Sequence, residues 1–414
     1  MHKTRTALVA AMAASALVLT ACGSETAAPA NQPIPATQTA APAPPAGAVT
    51  TKTDAAELRS QLTYLLTQHV YQAGITLKFA VEKGGNLNDP TVKAAVAALD
   101  HNSVELSKAV GAAYPDAEKP FLDSWRQHIG FFVDYTLGKA TKNQAKVDKA
   151  KTDLDGYRSS FGQLINSVVA ELPAQAVADE LKPHVASLFS TIDSLVANDG
   201  QAFSTLVDAA DHMPMTASIL AGGIAKNKKL SGDPAAKGSE LRAQLTYLLT
   251  SHVDLAAIAL AQAVAKGGNL NEPSVKAAVA AVDENSVALS KAVGSAYPDA
   301  EKPFLDSWRQ HIGFFVDYTL GKATKNQAKV DKAKTDLDGY RSSFGQLINS
   351  VVAELPAQAV ADELKPHVAS IFATIDSLVA GDGKLFQNLD EAGHHMPMTA
   401  AILAGGIADN KKLS

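Results

Sequence analysis

Beyond residue 12, every methionine of this chain stands beside a histidine. Six methionines occur in all. Four of them fall in His212-Met213-Pro214-Met215 and His395-Met396-Pro397-Met398. Thioether and imidazole together favour copper, Cu(I) above all, over zinc or magnesium. His212 and Met215 are spaced to share one face of a helix, and His394 adds a donor four residues before Met398. Pro214 removes a backbone hydrogen bond and kinks the helix, which frees the carbonyl of Ala210. The chemistry expected of such a pocket is capture of a soft metal ion. The plainer reading is a kinked core helix whose methionines fill gaps against Trp125 or Phe131.

The other histidines fall mid-helix. His128 shares a stripe with Trp125, Phe132 and Tyr135, and His69 shares one with Leu62, Leu66 and Leu77. One histidine on an apolar stripe reads as a hydrogen-bonded core residue. Several on different helices of one bundle read otherwise, because facing helices are where bundles build metal and cofactor sites. The expected ligand set is therefore His69, His128, His184, His212, Met213 and Met215. A second set repeats it: His252, His311, His367, His395, Met396 and Met398. Heme held by two axial ligands between helices is an alternative cofactor. A structural or protein-interaction module of the envelope is an alternative without metal. Asp100 and Asp211 each precede a histidine and could orient it.

Other chemistries lack their residues. A di-iron site needs Glu-x-x-His on each of two helices, and no such pair occurs. No Gly-x-Ser-x-Gly, Walker loop or strand-borne Gly-x-Gly-x-x-Gly is present, so no enzyme is expected. The net charge of -5, with both signs mixed, argues against nucleic acid.

The N-terminus places the protein. Lys3 and Arg5 precede an apolar run from Ala7 to Leu19, the pattern of an export signal over residues 1–21. Leu19-Thr20-Ala21-Cys22-Gly23 resembles the lipobox of bacterial lipoproteins, which implies acylation of Cys22. The expected location is the extracytoplasmic face of the cell membrane, with the membrane itself as partner through that lipid. Cys22 is the one cysteine, so no internal disulfide forms. Residues 22–53, rich in Ala, Pro and Thr, read as a disordered tether. No later stretch reads as a transmembrane helix.

What must position the histidines is a duplicated domain. Two domains, roughly 54–232 and 237–414, repeat each other at an offset of 183, with Trp125 at Trp308 and Met213 at Met396. From Tyr114 to Ser187 the copies are identical to 297–370, while the flanks have drifted. Copy one reads as six helices, about 54–83, 89–113, 115–141, 143–171, 173–198 and 200–227. Breaks stand at Gly84-Gly85-Asn86, Tyr114-Pro115, Leu172-Pro173 and Asp199-Gly200. Strand alternation is absent. The expected fold is all-α: two tandem antiparallel helical bundles of about six helices, each with a ferritin-like four-helix core.

The pattern His69-Val70, Asn102-Ser103-Val104, the run Trp125 to Thr136, His184-Val185 and His212-Met213 resembles a family of exported bacterial helical proteins. These are mostly uncharacterised and often labelled copper amine oxidase-like. The resemblance covers both copies almost end to end. It implies an extracytoplasmic helical domain, with copper as a hint. Copper amine oxidases proper are β-rich and use a Tyr-derived quinone with three His ligands. The chain has neither the strands nor the Asn-Tyr-Asp/Glu motif, so that activity is not implied.

Overall fold

Thr53, Asp89 and Asn143 start helices by one device. Each side-chain oxygen accepts an N–H that the first turn leaves without a partner: Ala56 at 3.2 Å, Thr91 at 2.9 Å and Lys146 at 3.1 Å. The structure, a computed structural model, describes residues 50–413. In copy one the helices are α1 (Asp54–Glu82), α2 (Pro90–Ala113), α3 (Glu118–Ala140), α4 (Gln144–Val168), α5 (Ala174–Ala197), α6 (Ala202–Asp211) and α7 (Met213–Lys228). Copy two repeats them as α8 (Lys237–Ala265), α9 (Pro273–Ala296), α10 (Glu301–Ala323), α11 (Gln327–Val351), α12 (Ala357–Ala380), α13 (Leu385–His394) and α14 (Met396–Lys411). The chain is all-α, with no strand among the described residues.

The sixth expected helix of each copy is two helices. α6 ends at Asp211 and α7 begins at Met213, with Pro214 in its first turn, where the missing N–H costs nothing. His212 itself keeps right-handed helical angles, and the buried face runs on through the break from Leu206, Ala209 and Ala210 to Met213 and Ala217. Pro183, by contrast, sits inside α5 without ending it.

The expected export signal, Cys22 and the expected tether up to residue 49 lie outside the described residues. The expected tether ran to residue 53, and its last residues belong to the fold instead. Thr50–Lys52 form a single 3-10 turn, Thr51 is buried, and its carbonyl accepts from Arg242 Nη1 at 2.9 Å. A second correction concerns α8. Its best window has a mean hydropathy of 1.5, long and apolar enough for a membrane span, yet 72% of that window is buried inside the fold. It is apolar because it is a core helix.

In copy one α1 runs through the middle, against α2, α3, α5, α6 and α7, and α8 takes the same place in copy two. The two central helices also pack on each other, so both copies share one compact unit. The seam between them has pseudo-two-fold symmetry. Arg59 pairs with Glu240 at 2.6 Å and Arg242 pairs with Glu57 at 2.6 Å, both arginines being buried. Ser60 and Thr246 share a hydrogen bond of 2.8 Å between them. One patch meets its own repeat, the self-complementary contact of an isologous dimer.

Close approach also governs α4 and α5. A Cβ at Gly162 would collide with the carbonyl of Ala174, and Gly345 stands identically against Ala357. Glycine there lets the helices touch backbone to backbone and carries α5, with His184, toward α1.

Candidate functional site

Three helices bring three imidazoles into the middle of each bundle. His69 comes from α1, His128 from α3 and His184 from α5, and all are buried. The rings of His69 and His128 lie 5.4 Å apart, and those of His252 and His311 lie 5.2 Å apart. In copy two the meeting is at hydrogen-bond distance, with His311 Nε2 3.2 Å from His252 Nε2. One nitrogen of that pair donates and the other accepts.

Aromatic side chains close the surroundings. Trp125 stacks on Phe121 with centroids 5.2 Å apart, and His128 stacks on Tyr157 at 5.0 Å. Trp125 Nε1–H donates to His69 Nδ1 at 3.4 Å. Indole nitrogen can only donate, so this bond puts the His69 proton on Nε2.

Burial keeps the imidazoles neutral. It lowers His69 to about 3, with His184 acting in the same direction and Asn102 against it. His184 is lowered to about 4, first by burial, with the Ala209 carbonyl opposing and His212 adding to the shift. His128 is held well below the usual histidine range by burial and then by His69 and His184. His252 and His367 follow at about 3 and about 4, and His311 is likewise depressed. A neutral imidazole is the form that ligates a metal.

The methionines divide. Met213 and Met396 are buried, and Met213 borders a 50 Å³ cavity together with His69, His184 and Trp125. Met215 and Met398, expected in the same pocket, are 59% and 60% exposed. Helical spacing explains this, since side chains two residues apart on one helix point to opposite sides. α7 turns Met213, Thr216, Ala217, Ala221 and Ile224 inward, and that phase carries Met215 to the surface. His212 and His395 also fall short of the dry centre. Each lies close enough to depress His184 or His367, and His395 is partly exposed with Nε2 3.5 Å from Glu391. His394 turns to the seam, its ring 6.2 Å from that of Tyr64, and gives Met398 no help.

Nor do the two aspartates orient histidines. Asp100 holds Arg126 with both oxygens, at 2.6 and 2.8 Å, and Asp211 accepts from the Tyr247 hydroxyl. Among the described residues no group of three or more His, Cys, Asp or Glu side chains is arranged to hold a metal ion.

One cluster has no counterpart in the sequence reading. At the seam Asp390 accepts from Gln68 Nε2 at 2.8 Å and Gln72 Nε2 at 3.4 Å, with His101 Nδ1 at 3.5 Å. The nearby Asp254 carboxyl is fully enclosed, and burial, then Asp390, raises it well above the usual carboxylate range. The clue was available: these positions differ between copies, where Asp254 replaces Tyr71, Asp390 replaces Val207 and His394 replaces Asp211.

No family model, curated protein or solved structure matches the chain.

Proposed function

We propose that the protein is a lipid-anchored, extracytoplasmic binding protein that holds a soft metal ion, copper foremost, at the imidazole pair in each bundle. The 3.2 Å between His252 Nε2 and His311 Nε2 carries this reading. Two metal–nitrogen bonds of about 2.0 Å at a near-tetrahedral angle set the nitrogens about 3.3 Å apart. His69 and His128 are the same pair in copy one. A buried thioether, Met213 or Met396, supplies a soft third donor suited to Cu(I). Sequestration or hand-off suits such a set, and the export signal with Cys22 supports a site outside the cytoplasm. The resemblance to exported proteins with a copper label points the same way.

Metal binding has a local cost. His69 must give up its Nε2 proton, and moving that proton to Nδ1 would set it against the Trp125 N–H. Trp125→Phe removes the competing donor. Cu(I) titration under anaerobic conditions is expected to quench tryptophan fluorescence at up to two ions per chain. Trp125→Phe is expected to tighten the site in copy one, whereas Trp308→Phe, whose indole N–H meets no acceptor, should not tighten that of copy two. Replacing His128 and His311 with Leu should abolish binding, while Met215→Ala and Met398→Ala should leave it unchanged. Absence of stoichiometric Cu(I) binding by the parent chain would refute the proposal.

A second reading, with imidazoles serving packing alone, is favoured by the aromatic contacts that enclose them. It predicts a melting temperature that no metal raises, since a ligand bound only by the folded state must stabilise it.

A further inference from the structure

A pocket opens from the surface of copy two to its histidines. It lies between α8, α9, α10 and α12 and encloses 520 Å³. Its counterpart between α1, α2, α3 and α5 encloses 250 Å³. The difference has a sequence origin in the drifted flank. Thr76 and Leu99 line the smaller pocket, whereas Ala259 and Val282 stand at the same positions in the larger one. Only the larger falls in the ordinary size range of small-molecule sites, about 300–1,000 Å³.

The lining defines the occupant. The walls are apolar, with Val253, Leu260, Phe315 and Ile371 among them. Leu270 and Val279 carry the apolar lining out to solvent, being 40% and 45% exposed. The same rim is exposed in copy one at Leu87 and Val96, so what sets copy two apart is the volume behind the rim. His252 and His367 also line the pocket. They are 3% and 6% exposed, and their Nδ1 atoms are buried with no hydrogen-bond partner. A buried polar atom without a partner is costly, and a ligand group that meets it relieves the cost. The charges at the rim are already engaged. Arg309 is held by both oxygens of Asp283 at 2.6 and 2.8 Å, and Asp317 pairs with Lys329 at 2.9 Å. An ionic ligand would have to break one of these pairs.

We infer that this pocket binds an uncharged, largely apolar small molecule of two or three rings, whose single hydrogen-bonding group meets the imidazole of His252 or His367. The pocket shares His252 with the proposed metal pair, so its test is run in chelator. The probe is N-phenyl-1-naphthylamine, neutral and fluorescent out of water, added to the full chain carrying Cys22→Ser so that no acyl chain competes. Saturable binding of one probe per chain, with energy transfer from Trp308, is expected. Ala259→Thr with Val282→Leu should weaken it about tenfold or more by filling the wall. Thr76→Ala with Leu99→Val should open copy one and raise the stoichiometry to two. Each variant is checked for a native circular dichroism spectrum. Three results would overturn the inference: no saturable binding, unchanged affinity in the folded wall-filling variant, or displacement of the probe by stoichiometric hemin with a Soret band. Copper binding that persists while the probe fails would refute this inference alone.

Discussion

A buried histidine acts on stability in proportion to how far the fold refuses its proton. His69 and His252 are depressed to about 3, and His184 and His367 to about 4, chiefly by burial. The unfolded chain protonates them near 6.5. Their neutral burial is therefore without penalty above pH 6.5, and stability drains away as pH falls below it. Each such group contributes up to about 1.4 kcal/mol per pH unit in that window. Asp254 works oppositely: its raised value means that its effect on stability is best at low pH and worsens as pH rises. The urea midpoint is expected to fall steeply from pH 6.5 to pH 4, and less steeply when His128 and His311 are both Leu. A flat midpoint would mean that the imidazoles meet water.

At the scale of elements, the site depends on helices held closer than side chains normally allow. Gly162 faces the carbonyl of Ala174 across α4 and α5, and any Cβ would force the pair apart. Gly162→Ala is expected to cost about 1–3 kcal/mol by overpacking, measured by denaturant melts. It should also shift His184 and loosen the Met213 cavity. The same change at Gly156, where a Cβ meets nothing, should be neutral or slightly stabilising through helix propensity. The face shared by α6 and α7 is the other decisive element. It takes Met213 into the interior and leaves Met215 outside, although both lie in one four-residue motif.

For the whole molecule, α1 and α8 make one shared core out of two copies. Most of α1 is buried, partly by its own bundle and partly by α8. A fragment of residues 50–232 would expose that face. Sedimentation is expected to find it as a homodimer with Arg59 and Glu57 of opposite chains paired, or to find it unfolded. A stable monomer would show that the seam contributes little. Arg59→Ala in the full chain should destabilise, because the side chain is buried, so its loss leaves a void at the seam, and the Pro234 carbonyl to which it donates at 2.6 Å loses its partner, whereas the exposed Glu240 is solvated without it.

Helical periodicity, proline and glycine breaks and the repeat offset were enough to give the all-α class, the duplication and nearly every helix of the described chain. These are local signals, since capping and amphipathic spacing act within a few residues. The centrality of the mid-helix histidines was legible as well, because a polar residue on an apolar stripe announces its own burial. The partners of Asp100 and Asp211 and the carboxyl cluster at the seam were not. Each depends on which surfaces meet at long sequence separation. No spacing rule could place Gln68 against Asp390, because packing of the two copies alone sets that distance.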